Sequence, residues 1–154
     1  MKQIFVLMLL VLTYTFVLTT DYAYAAKHMV VGDHEVTISG ESYEEKVYVN
    51  GGLAYDNADG DRALNIKAQF EMGGGDTLVF FLETLSGGTA CPAMYRFIFV
   101  ESDGQFSITD SFGTCSDLPE LRVLPESGSV VFPNINGSGT TTYQIRGENV
   151  VEAK

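Results

Sequence analysis

The sequence predicts an all-β domain, an antiparallel sandwich or small barrel carrying one disulfide. Three observations point there. Short period-2 or wholly apolar runs recur between turn residues, and no window after residue 25 shows the 3-4 apolar spacing of an amphipathic helix. Cys91 and Cys115 are the only cysteines in 154 residues and lie equidistant from Asp103, inside the turn signal Ser102-Asp103-Gly104. The N-terminus reads as an export signal, which places those thiols in an oxidising compartment.

The signal comes first along the chain. Met1-Lys2-Gln3 is a short positive start, Ile4 to Leu18 is apolar apart from Thr13, Tyr14 and Thr15, and Ala23-Tyr24-Ala25 is a small-x-small exit. The apolar run falls short of the roughly 18–20 residues that span a bilayer, so cleavage after Ala25 is expected rather than anchoring. Residues 1–25 are then a signal peptide, and residues 26–154 a single exported domain, periplasmic or secreted and free of the membrane.

Glu35 to Ser39 and Lys46 to Asn50 alternate. Ala63 to Met72 sets Leu64, Ile66, Ala68, Phe70 and Met72 against Asn65, Lys67, Gln69 and Glu71, the pattern of a half-exposed strand. Gly73-Gly74-Gly75-Asp76 turns the chain. Thr77 to Thr84 is apolar on both faces through Leu78-Val79-Phe80-Phe81-Leu82, so it is expected to be central and buried.

A hairpin follows, with strands near Met94–Glu101 and Gln105–Phe112. With Glu101 opposite Gln105, Gly104 takes the left-handed position of a three-residue loop. The same register sets Val100 against Phe106, Ile98 against Ile108, Arg96 against Asp110, Met94 against Phe112 and Cys91 against Cys115. A structural bridge between the cysteines is expected, with no CxxC or neighbouring histidine to suggest metal or redox chemistry. It contributes roughly 3–3.5 kcal/mol in the chain-entropy model. The face carrying Met94, Ile98, Val100, Phe106, Ile108 and Phe112 is expected against the core. Tyr95, Phe97 and Phe99 point the other way, either under a second layer, the preferred reading, or as an exposed aromatic binding platform. Asp117-Leu118-Pro119-Glu120 reads as one helical turn. Leu121–Leu124 and Val130–Phe132 read as a strand pair, and Thr140–Arg146 as the last strand, nine or ten in all.

Removing the signal leaves the formal charge of −11 unchanged, because Lys2 and Asp21 leave together. That charge argues against nucleic acid and anionic membrane surfaces and suits solubility, cations or a basic protein partner. Catalytic motifs are absent. His28 and His34 lack zinc spacing, no Gly-x-Ser-x-Gly elbow accompanies Asp33-His34, and Gly73-Gly74-Gly75 is not followed by a phosphate-loop lysine. The best metal candidate is Asp56-Asn57-Ala58-Asp59-Gly60-Asp61, whose Asp56, Asn57, Asp59 and Asp61 offer oxygens suited to calcium. Aligned as an EF-hand it puts Tyr55 and Ile66 where acids belong, so a solvated turn without any cofactor is the preferred reading.

Two stretches resemble known proteins. Gly87-Gly88-Thr89-Ala90-Cys91-Pro92-Ala93, then Tyr95-Arg96-Phe97, then Phe112-Gly113-Thr114-Cys115-Ser116-Asp117-Leu118-Pro119, resembles a segment of short exported bacterial proteins of uncharacterised function. It implies a bacterial envelope or secreted origin and transfers no catalytic residue. Ser39-Gly40-Glu41-Ser42-Tyr43 is similar to a loop motif of bacterial c-type lysozyme inhibitors, small exported β proteins. Ser42 stands where that motif is usually basic, and the similarity requires Tyr43 to be exposed on a concave surface.

Two functional expectations follow. The preferred one is a non-enzymatic binding protein of the bacterial envelope, an inhibitor or immunity protein for a basic enzyme being one concrete form. The alternative is an envelope hydrolase acting on carbohydrate or peptide, with paired carboxylates drawn from Glu83, Asp110 and Asp117. Its signature would be two carboxyl groups about 5–9 Å apart in a cleft.

Overall fold

The computed structural model describes residues 27–57, 59–124, 127–134 and 138–153. Twelve strands run through them: β1 (His28–Val31), β2 (His34–Ser39), β3 (Lys46–Val49), β4 (Gly52–Tyr55), β5 (Ala63–Met72), β6 (Thr77–Leu85), β7 (Ala93–Glu101), β8 (Phe106–Ile108), β9 (Glu120–Leu124), β10 (Ser127–Pro133), β11 (Thr140–Arg146) and β12 (Asn149–Glu152). They form three antiparallel four-stranded sheets, in the orders β1-β2-β3-β4, β5-β6-β7-β8 and β12-β11-β10-β9. The short strands β1, β4 and β12 lie outside the strand set expected from sequence.

The middle sheet, β5 to β8, is walled on both faces. One face carries Leu64, Ile66, Leu78, Phe80, Leu82, Ile98 and Val100 against Val36, Ile38, Val47 and Val49 of the first sheet. The other carries Phe70, Val79, Phe81, Tyr95, Phe97 and Phe99, with Phe112 of the connection after β8, against Val130, Phe132 and Ile145 of the third. Strand β6 supplies alternate residues to both, so Leu78 to Thr84 are all buried, as its unbroken apolar run predicts. Each large apolar side chain buried in this way contributes about 1.5–3 kcal/mol.

Strand β5 departs from the expected half-exposed strand. A bulge lies between Ile66 and Ala68 in its pairing with β6, with Lys67 the extra residue. A one-residue insertion reverses every later side chain. Leu64 and Ile66 therefore enter the first core, and Ala68, Phe70 and Met72 the second. An uninterrupted apolar alternation thus serves two opposite faces.

The β7–β8 hairpin closes as expected. Gly104 (φ 86°) donates its N–H to Glu101 O and Gln105 O accepts from Glu101 N–H. Val100 faces Phe106 and Ile98 faces Ile108. Beyond Ile108 the register slips by one residue. The Thr109 hydroxyl accepts the Phe97 N–H at 3.0 Å, and Tyr95 rather than Met94 bridges to Phe112. Phe112 consequently turns to the opposite face and stacks on Phe97 with ring centroids 5.2 Å apart. The expected Arg96–Asp110 and Met94–Phe112 pairs do not form. Phe106 sits at the sheet edge, partly exposed, with its ring over Gly52.

Cys91 and Cys115 are bridged, with Cα atoms 4.5 Å apart. The bridge holds the β8–β9 connection over the end of the aromatic core. That connection is tied further by Tyr143 Oη to Gly113 O at 3.2 Å and Thr114 Oγ1 to Pro133 O at 2.9 Å. Residues 117–120 are not helical. The Ser116 hydroxyl accepts the Leu118 N–H in a side-chain turn, and Glu120 already begins β9.

Candidate functional site

Antiparallel order sends alternate connections to opposite ends of the molecule. At one end the strands join by tight turns, 32–33, 50–51, 73–76, 102–105 and 147–148. At the other lie longer connections, 40–45, 56–62, 86–92 and 109–119, with the disulfide among them. Long loops mounted on a rigid sheet are where recognition chemistry concentrates.

Tyr43 lies at this loop end, 56% exposed. Its backbone is left-handed (φ 71°), a conformation costly for a bulky residue and here enforced from outside. The Tyr43 N–H donates to Arg62 O at 3.1 Å, and the Glu44 N–H to Glu41 O at 2.9 Å. Gly40 (φ 122°) is needed for the close passage, because a Cβ there would sit 2.6 Å from Glu44 O. Behind the loop, buried Glu45 takes Lys27 Nζ at 2.6 and 2.8 Å and the Leu64 N–H at 2.6 Å. The ring of Tyr43 is thus presented on a fixed mounting, flanked by exposed Glu41 and Glu44.

Tyr95, Phe97 and Phe99 are core residues, at most 2% exposed, so they form no binding platform. The third sheet covers them, and their rings pack with Phe70, Phe81, Phe112 and Phe132 in stacked, tilted and edge-on pairs. Burial raises the Tyr95 hydroxyl pKa above the ordinary tyrosine range, and nearby Glu83 and Asp117 add to it.

The acidic loop is organised around a cation from the protein itself. Asn57 closes it, donating Nδ2 to Asp61 O at 2.7 Å and accepting the Asp61 N–H at 2.8 Å. The Arg96 guanidinium reaches from β7 to Asp59 Oδ2 at 2.5 Å, donates to Thr109 O at 2.9 Å, and lies 4.7 Å over the Tyr55 ring. Tyr55 Oη donates to Asp59 at 3.1 Å and to Asp61 at 3.4 Å. Burial, and then the neighbouring Asp59 charge, raise the pKa of Asp61. Burial is also the main cause pushing the Tyr55 hydroxyl up to about 12. Asp56 is exposed, and the described residues hold no group of three or more His, Cys, Asp or Glu arranged for a metal. Arg96 as the loop's counter-ion was not foreseen. Its only sequence signal is that it is the single basic residue of the largely apolar strand β7.

The three carboxylates of the hydrolase expectation are differently placed. Glu83 is buried, with Asn65 Nδ2 at 3.0 Å, Lys67 Nζ at 3.4 Å and Tyr95 Oη at 3.5 Å. Asp110 and Asp117 are exposed on the β8–β9 connection. Among the described residues no hydrogen bond joins any two of the three. The histidines are also apart in role. His28 Nε2 pairs with Glu35 at 2.8 Å, and His34 Nδ1 lies 3.3 Å from Asn50 Nδ2.

Among the described residues no helix is long and apolar enough to cross a membrane. Comparison with protein-family models, with curated proteins and with solved structures finds no match to this chain.

Proposed function

We propose that this chain is a non-enzymatic, exported binding protein of the bacterial envelope that engages a basic protein through its loop end. The observation that carries the reading is the chemistry of that end. Glu41, Glu44, Asp56, Asp59, Asp110 and Asp117 are exposed on its connections, against two exposed bases, Arg62 and Lys27, the second of them paired with Glu45. Tyr43 stands among the acids on its fixed mounting, the amphipathic aromatic that recognition surfaces favour. The disulfide is consistent with an oxidising compartment, and the net charge of −11 favours cationic partners over nucleic acid. Inhibition of, or immunity to, a basic cell-wall-degrading enzyme is the specific form we favour.

The test is binding of the 26–154 protein to a purified c-type lysozyme, a basic enzyme of that class, at low and at physiological salt. Salt-weakened binding that is lost in Tyr43→Ala and in Glu41→Gln/Glu44→Gln is expected. Screening acts on such exposed charges over about 8–10 Å. Binding unaffected by those substitutions would remove the loop end from the interface. Failure to bind at low salt would remove this class of enzyme as the partner.

A further inference from the structure

The third sheet ends at β9, and its outer edge is open. Strand β9 pairs with β10 on one side, and among the described residues no other group hydrogen-bonds to its main chain. An edge of unpaired N–H and C=O groups is a template for another strand. The edge of β5 is closed at Leu64, whose N–H donates to Glu45 and whose carbonyl accepts from Lys27. The edge of β9 has no such plug. It is instead lined by apolar side chains, with Leu118 70%, Leu124 62% and Val123 42% exposed. Its two charges, Glu120 and Arg122, are exposed and of opposite sign.

We infer that β9 is the seam of a two-fold dimer of this chain, in which two copies of the third sheet join edge to edge into one antiparallel sheet. The sequence of the edge is complementary to itself. Laid antiparallel on a second copy about Leu121, Glu120 faces Arg122 of the second copy and Arg122 faces its Glu120. Leu118 then faces Leu124, and Val123 faces Pro119. Acid meets base, apolar meets apolar, and one set of contacts is made twice, as a two-fold interface requires. Centring the pair on Glu120 or on Arg122 would set like charges opposite each other, so the register is specified. Pro119 lacks an N–H and ends the ladder there, which keeps the seam short and the association concentration-dependent. Overall charge selects the same place. Copies carrying −11 each repel, but the strands of the third sheet hold two acids, Glu120 and Glu152, against two bases, Arg122 and Arg146. The other open edges of the two outer sheets, β1 and β12, are four residues long and carry no such pair of opposite charges. Strand β9 holds none of the residues of the loop-end reading, so neither proposal depends on the other.

The experiment is sedimentation velocity of the 26–154 protein from micromolar to millimolar concentration, for the wild type, Glu120→Arg, Arg122→Glu and the double swap Glu120→Arg/Arg122→Glu. Both side chains are exposed, and unchanged melting temperatures would show that the variants fold. The wild type should shift from monomer to dimer with concentration. Each single variant sets like charges against each other across the seam and should stay monomeric. The double swap should dimerise again, and an equal mixture of the two single variants should form a heterodimer. Amide hydrogen exchange should slow in β9 as concentration rises, with β1 and β12 unchanged. A wild type that stays monomeric throughout would overturn the inference, as would single variants that dimerise like the wild type. Failure of both the double swap and the mixture to restore the dimer would overturn the register and the inference with it. Slowing in β1 or β12 rather than in β9 would place the contact elsewhere and have the same result.

Discussion

The two faces of the central sheet are built from different chemistry. The face toward the first sheet is aliphatic apart from Phe80, whereas the face toward the third holds four phenylalanines and a tyrosine from the central sheet, joined by Phe112 of the β8–β9 connection. Aliphatic residues fill their layer by volume and tolerate exchange. Aromatic rings also constrain orientation, because offset and edge-on pairs contribute about 0.5–1.5 kcal/mol beyond area. The difference has a functional consequence. The aromatics that would have supplied a binding platform are consumed in walling the third sheet to the second, so the binding function proposed above has to rest on the loops.

The comparison breaks most sharply at its centre. Phe97→Ala removes a ring that contacts Phe70, Phe81, Phe99 and Phe112, and should cost about 3–5 kcal/mol in denaturant unfolding. Ile66→Val in the aliphatic core should cost only about 0.5–1.5 kcal/mol. Equal losses would contradict the asymmetry. Cys91→Ser/Cys115→Ser should cost up to about 3 kcal/mol. Hydrogen exchange should accelerate first in the β8–β9 connection, with β6 still protected, because the bridge clips that connection rather than the core. Tyr95→Phe leaves the ring and removes the hydroxyl that donates to Ser116 O at 3.1 Å, so a loss of about 1–3 kcal/mol is expected from the unpaired buried carbonyl.

The smallest effect concerns Asp61. Its pKa is raised on folding, so its ionised form is disfavoured in the folded state. Above the folded pKa that penalty is fully present, and it is relieved as the pH falls through it. Asp61→Asn should therefore raise the melting temperature at neutral pH, with the advantage shrinking as the pH falls through the carboxylate range. A substitution that destabilises at neutral pH would show that the Tyr55 hydrogen bond outweighs burial.

What the sequence discloses follows the same division. Strand β6 is legible because a five-residue apolar run between turn residues has only one home, a strand buried on both faces. The hairpin loop is legible because Gly104 fixes it. The slip after Ile108 is not, because Ser107, Thr109 and Ser111 are polar and small in either register, and Thr109 replaces a ladder partner with its own hydroxyl. The bulge at Lys67 is hidden for a related reason. Both faces of the sheet are apolar, so no polar face betrays the reversal. Four-residue strands such as β12 are too short to show a period. At the loop end the exposure of Tyr43 and the acidity are written locally, but the Arg96–Asp59 pair spans 37 residues and depends on the fold.

The central claim, that the third sheet seals the aromatics and leaves Tyr43 as the presented ring, is tested most directly by tyrosine nitration of the native 26–154 protein, read by peptide mass mapping. Rapid nitration of Tyr43 with Tyr95 unmodified until the protein is unfolded is the predicted result. Nitration of Tyr95 in the native protein at a rate similar to Tyr43 would contradict it, and would return the aromatic face of β7 to the surface.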